Sequence, residues 1–151
     1  MKDEKPRRSY LVTVVSCRCP RCREGKLFRH PMTFRFGRNL NMHERCPVCR
    51  QLTDIEVGFY YGTGYVSYVL AILITVAGFI LWLLTIGFSF KDHRFFYWLG
   101  GNSLLLVLLQ PWLMRFSRVL WLSWFVRYDP DWQDHEPEDL GRTIKGQMNN
   151  W

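Results

Sequence analysis

The sequence predicts a small membrane protein: an N-terminal β ribbon, then a two-helix transmembrane hairpin and an interfacial helix. Three observations predict it. Two Cys-Pro-x-Cys pairs, Cys19/Cys22 and Cys46/Cys49, stand 23 residues apart. Two long stretches, 58–90 and 95–114, carry no charged side chain. Charge is also segregated: residues 1–56 hold 13 Lys/Arg against 6 Asp/Glu, whereas from Arg115 onward 5 basic residues face 6 acidic ones.

Residues 1–16 form a basic N-terminal arm. Its apolar run, 10–15, is too short for the core of a secretory leader, and no small-residue cleavage site follows it, so no signal peptide is expected.

Residues 17–57 form the ribbon. A C-x2-C turn brings two thiolates to one ion, and two such turns complete the tetrahedron that Zn²⁺ prefers. Cys19, Cys22, Cys46 and Cys49 are therefore the expected ligands of a structural Zn²⁺. Four cysteines close the coordination shell, leaving no position for an activated water. Disulfides are disfavoured in a cytosolic domain, and no alternating strand–helix pattern supports a redox Cys-x-x-Cys. Cys17, two residues before Cys19, either competes with it or stays a free thiol; the C-x2-C pair is preferred. His30 and His43 are read as ordinary ribbon residues. Alternation at residues 33–36 suggests a strand, and Phe28, Phe34 and Phe36 are expected to form the ribbon's small core. About 40 residues bury too little apolar surface to fold alone, so metal binding supplies the folding free energy.

Residues 58–90 contain a linker and the first span. A hydrocarbon core of about 30 Å needs roughly 20 apolar residues, and 65–84 meet that. Residues 91–94 form a short external turn. The second span, 95–114, carries Asn102, Ser103 and Gln110, explained by helix–helix hydrogen bonds or a bound ligand. Pro111 should kink or end it. Aromatic residues cluster near the span ends, at Phe59, Tyr60, Tyr61, Tyr65 and Tyr68 and at Trp98, Trp112, Trp121 and Trp124, as in an interfacial belt. Two antiparallel spans place both chain ends on one side, and the positive-inside rule makes that side cytosolic.

Residues 115–127 read as an interfacial helix or a cytosolic extension of the second span. Arg115 and Arg118 share one helical face, opposite Phe116, Leu120 and Trp124. They either meet lipid phosphates or a partner, or are buried and paired within the protein. Tyr61, Tyr65 and Tyr68 are further candidate lipid or partner contacts. The tail, 128–151, is acidic and expected to be extended or disordered, unless it docks on a partner or folds back on the basic ribbon.

Several of these segments resemble one bacterial family of small membrane proteins. Residues 19–28 (CPRCREGKLF), 42–49 (MHERCPVC), 58–70 (GFYYGTGYVSYVL), 117–122 (SRVLWL) and 128–130 (YDP) are similar to domain-of-unknown-function family nine-eight-three. The likeness covers roughly residues 19–130. It departs at Arg50, where the family has Gly after the second knuckle, and at Gly64, where a larger residue is usual. A non-Gly residue costs about 1 kcal/mol if position 50 requires a left-handed backbone. The resemblance implies no activity; it implies a bacterial inner-membrane location and a link to the assembly of haem–copper oxidases.

The function expected is non-catalytic: an accessory subunit or assembly factor of a larger membrane complex, respiratory in type. Partners are then lipids and other membrane subunits. A membrane-tethered nucleic-acid or ribosome binder is the alternative, with Arg21, Arg23, Lys26, Arg29, Arg35, Arg38 and Arg45 meeting phosphates. A metal chaperone or enzyme using Cys17 is a third reading, opposed by the closed shell.

Overall fold

The computed structural model describes residues 8–87 and 93–138. Four helices occur among them: α1 (Tyr10–Val15), α2 (Phe36–Asn39), α3 (Thr63–Thr85) and α4 (Arg94–Phe125). A 3₁₀ turn, Phe59–Gly62, leads into α3.

The helices α3 and α4 form an antiparallel hairpin, and both are long and apolar enough to cross a membrane. Leu73, Leu81 and Leu84 of α3 are well exposed, which a soluble core helix would not tolerate over such a length. Polar and aromatic pairs join the two helices. Ser67 donates to Ser117 Oγ (2.8 Å) and Asn102 Nδ2 donates to Thr75 Oγ1 (3.3 Å). Phe79 meets Trp98 edge-on, with ring centroids 4.9 Å apart. Of the two readings of Asn102, a helix–helix hydrogen bond or a bound ligand, the first describes its contact with Thr75. At the base of the hairpin a Cβ on Gly62 would lie 2.5 Å from the Trp121 ring, so the glycine admits the indole against the start of α3.

The 32 residues of α4 extend about 48 Å, well beyond a hydrocarbon core of about 30 Å. Pro111 lies inside this helix rather than at its end. Residues 115–125 therefore continue the second span as one rod and make no separate interfacial helix. The reason is burial. Pro111, Arg115, Val119, Leu122 and Val126 recur at helical spacing, and all are buried. They form one stripe under the N-terminal domain, while Ser117 and Trp121 face α3. A proline removes one backbone donor, and packing on two sides outweighs that loss.

The N-terminal domain shares a single core with this end of α4. Val14, Leu27, Phe28, Ile55 and Phe59 join the four cysteines and Val119, Leu122 and Val126 in it. Within the arm, α1 lies against α4: Tyr10 and Ser123 share a hydrogen bond (2.9 Å), and Trp112 Nε1 donates to the Val15 carbonyl (3.2 Å).

The β ribbon does not appear. No strand occurs among the described residues, only three isolated bridges, Arg18–Lys26, Phe28–Met42 and Arg45–Leu52. The strand expected at 33–36 is instead irregular loop at 33–35 leading into the helical turn α2. The carbonyls that a ladder would have used go elsewhere. Arg115 takes those of His30, Pro31 and Asn39, and Arg118 takes that of Leu40. The expected aromatic core is also corrected. Phe28 is 8% exposed, but Phe34 and Phe36 are 58% and 56% exposed; their loop meets α4 through backbone carbonyls and the Asn39 side chain instead.

The described part of the tail folds back on the domain. Asp129 N donates to the Arg21 carbonyl (3.2 Å), and Gln51 Nε2 donates to the Glu138 carbonyl (3.0 Å). Residues 91 and 92 of the expected external turn lie outside the described residues, as does the tail beyond 138. Of that turn, Arg94 opens α4 and donates to the Ile86 carbonyl (2.9 Å).

Candidate metal centre

Each Cys-Pro-x-Cys pair closes a knuckle by local hydrogen bonds. In the first, Arg23 N donates to the Cys19 carbonyl (2.8 Å) and Cys19 N to the Gly25 carbonyl (2.9 Å). In the second, Arg50 N donates to the Cys46 carbonyl and Cys46 N to the Gln51 carbonyl, both at 2.9 Å. The turn forces the residue after each second cysteine into the left-handed region: φ is 60° at Arg23 and 58° at Arg50. Side chains with a Cβ are strained there by about 1 kcal/mol. Arg50→Gly is therefore expected to stabilise the domain by up to about 1 kcal/mol. A denaturant midpoint unchanged or lowered in Arg50→Gly would contradict this. Arg50 suits the test better than Arg23, whose guanidinium lies 3.7 Å from the centre of the Tyr128 ring and has packing to lose.

The four ligand atoms, Sγ of Cys19, Cys22, Cys46 and Cys49, all lie within 4.8 Å of one another. All four residues are buried, Cys19 and Cys46 at 1% exposure. Two sulfur–sulfur edges measure 3.7 Å (Cys19–Cys49) and 3.8 Å (Cys22–Cys46). A tetrahedron with metal–sulfur bonds of about 2.3 Å has edges of about 3.8 Å. The cysteines are free of disulfides, and the donor set fits a metal ion. Thiols packed so closely also compete for protons. Hydrogen bonding with Cys19 lowers Cys22 and brings Cys46 to about 7, while bonding to Cys22, Cys46 and Cys49 raises Cys19. A bound cation would hold all four as thiolates. Gly25 N donates to Cys22 Sγ (3.4 Å).

Gly25 is a constraint that sequence reading missed. A Cβ there would lie 2.3 Å from Cys46 Sγ and 3.4 Å from Val48 Cγ2. Gly25→Ala must displace a ligand sulfur, so metal content should fall well below that of the parent protein. Full metal retention in Gly25→Ala, by elemental analysis of the purified chain, would refute this geometry. A glycine three residues after a Cys-x-x-Cys is the signal that was available.

Arg21, also missed as a structural residue, ties the centre to the tail. It is 4% exposed. Its Nη2 donates to Asp129 Oδ2 (3.1 Å) and to the carbonyls of His135 (2.9 Å) and Glu136 (3.0 Å), and its Nη1 to the Cys49 carbonyl (3.4 Å). Partial desolvation opposes ionisation of Asp129, but hydrogen bonds from His135, the Asp131 amide and Arg21 hold its carboxyl below the usual range.

Other candidate residues fall outside the centre. Cys17 is half-buried and not one of the clustered ligands. Burial pushes its thiol up to about 11, against the opposing pull of Arg115. His30 and His43 do not join the cluster either. Arg115 is 6% exposed and turned on the domain; its guanidinium also lies over the Phe28 ring. Arg118 sits over the Tyr60 ring, 4.8 Å from its centre. Arg115 is buried with three backbone carbonyls as its acceptors, whereas Arg118 is half-buried and donates to the Leu40 carbonyl. Tyr61, Tyr65 and Tyr68 are 71%, 79% and 65% exposed. A cavity of about 600 Å³ opens between α2, residues 41–44 and the start of α3, with Asp54, Tyr60 and Arg118 among its lining residues. No family model, curated protein or solved structure matches the chain.

Proposed function

We propose that this chain is an integral membrane protein whose four clustered cysteines hold one structural Zn²⁺. It acts without catalysis, as an accessory subunit or assembly factor of a larger membrane complex. The carrying observation is the single core shared by the cysteine cluster and the end of α4. A closed thiolate shell makes a rigid, metal-stapled head, and the shared core holds that head in a fixed pose on the hairpin. A fixed head on a short hairpin suits docking on other subunits better than turnover. The exposed apolar surface of α3 suits lipid or a neighbouring helix.

On this reading the arginine-rich side is cytosolic, by the positive-inside rule. The resemblance to family nine-eight-three points to a bacterial inner membrane and a respiratory client. A Cys17-based chaperone is disfavoured, because Cys17 stands outside the four-sulfur cluster, whose closed shell leaves no exchangeable position. The nucleic-acid reading has one observation in its favour: Phe34 and Phe36 are exposed beside the exposed Arg29, Arg35 and Arg38. Against it, Arg21 is spent on the tail and Cys49.

The test is purification of the full-length chain from its native membrane in mild detergent, with mass spectrometry and metal analysis of the same sample. Defined membrane subunits and one zinc per chain are the expected result. A lone protein with zinc would overturn the accessory-subunit reading, and salt-sensitive RNA binding by that sample would replace it with the nucleic-acid one. A chain without metal would overturn the zinc centre.

A further inference from the structure

Residues 30–39 form a loop fastened to α4 at both ends. At one end Arg115 Nη2 donates to the carbonyls of His30 (2.9 Å) and Pro31 (3.0 Å). At the other, Arg115 Nε donates to the Asn39 carbonyl (3.0 Å), and Asn39 Nδ2 donates to the Pro111 carbonyl (2.8 Å). Asn39 Oδ1 also accepts from Thr33 N (3.2 Å). These anchors fix the loop's height along the helix. Roughly 20 residues span the hydrocarbon; counted from Phe95, they end at Met114, beside Arg115. The loop is thus clamped where α4 leaves the hydrocarbon.

Its side chains suit that height. Met32, Phe34 and Phe36 are 52%, 58% and 56% exposed. Single exposed apolar residues are ordinary, but three within five residues on a fastened loop are a patch. Arg35 and Arg38 are exposed alongside. Apolar rings at the acyl boundary with guanidinium groups at the phosphates is the pattern of interfacial binding. The patch also continues a membrane-facing surface, that of the hairpin itself.

We infer that the 30–39 loop is a membrane-surface anchor: Met32, Phe34 and Phe36 enter the headgroup–acyl boundary of the leaflet from which α4 emerges, and Arg35 and Arg38 hold phosphates of anionic lipid. The loop then sets the tilt of the metal-bearing head on the bilayer. This inference rests on the membrane reading of α3 and α4.

The test uses the full-length chain in phosphatidylcholine nanodiscs with and without phosphatidylglycerol. The photoreactive residue p-benzoylphenylalanine replaces, one at a time, Phe34, Phe36, Leu73 and Val48. Leu73, on the outer face of α3, reports the membrane reading itself. Val48, exposed on the second knuckle, reports a site away from lipid; that knuckle is tied through Arg21 to the tail beyond α4. Expected are lipid adducts at 34 and 36 several-fold above those at 48 and comparable to those at 73. In the double variant Arg35→Gln/Arg38→Gln, any excess of phosphatidylglycerol over phosphatidylcholine in those adducts should disappear. Adducts at 73 with none above the Val48 level at 34 and 36 would overturn the anchor and leave the membrane reading intact. No adducts at 73 would overturn both. Photoproducts with co-purified RNA instead of lipid at 34 and 36 would also overturn the anchor. Because Phe34, Phe36, Arg35 and Arg38 are exposed and lie outside the knuckles, metal content should be unchanged in the variants at those four positions.

Discussion

Stripping the metal from the full-length protein is expected to unfold residues 18–52 while leaving α3 and the first two-thirds of α4 helical. The bridges in that region are isolated and no sheet supports them. The residues that close its core are the cysteines themselves. Structural zinc sites bind with apparent free energies of about 10–16 kcal/mol near neutral pH, more than a domain of this size holds in reserve. The helices α3 and α4 satisfy their backbone hydrogen bonds internally and need no metal. The tail should follow the domain, because Arg21 grips it through a loop that only the centre shapes. Thiolates must shed protons to bind metal, so affinity should also fall as pH is lowered. Hydrogen exchange on the chelated protein reads these regions separately. Unchanged protection of residues 18–52, with metal loss verified in the same sample, would remove the structural role of the centre. Cys46→Ser should reproduce the chelated pattern.

Replacing Arg115 by Ala is expected to destabilise the junction between head and hairpin by about 3 kcal/mol. One guanidinium serves three carbonyls from two stretches of chain, His30/Pro31 and Asn39. Its removal leaves buried acceptors unsatisfied, each worth about 1–3 kcal/mol before water enters. Arg115→Lys keeps the charge but lacks the planar fork, so it should recover only part of the loss. Arg118→Ala is the comparison. Arg118 is less buried and donates to one described carbonyl, that of Leu40 (3.0 Å), so about 1 kcal/mol is expected. Denaturant titration of the detergent-solubilised protein, read by protection of residues 30–39, measures all three. If Arg115→Ala costs no more than Arg118→Ala, the clamp is not what joins head to helix.

Two features were legible in the sequence because their chemistry is local. A Cys-x-x-Cys turn presents two sulfurs by its own geometry, and the 23-residue spacing leaves room for a second to meet it. A charge-free run of about 20 residues makes an apolar helix long enough to cross a bilayer, whatever surrounds it. The left-handed backbone at Arg50 was raised by the resemblance, which has Gly at that position; the same conformation at Arg23 was not.

What only the tertiary structure decided concerns groups that meet across long sequence separation. Alternation at 33–36 reads as a strand only while the nearby carbonyls are assumed to pair with another strand. Here those of His30, Pro31 and Asn39, which flank the segment, are taken by Arg115 at a sequence separation of 76 to 85 residues, and Phe34 and Phe36 are exposed. Pro111 reads as a helix end until Asn39 and the domain core cover that turn of α4. The acidic tail reads as extended, docked on a partner or folded back on the basic ribbon; Arg21, gathering its backbone carbonyls, decides for the last over residues 129–136. The sequence by itself determined the four-cysteine cluster and the two apolar helices, because covalent spacing and hydropathy act along the chain. The pose of the head, the path of its loop and the docking of the tail were decided by buried donors finding backbone acceptors across the fold, a match that no local pattern encodes.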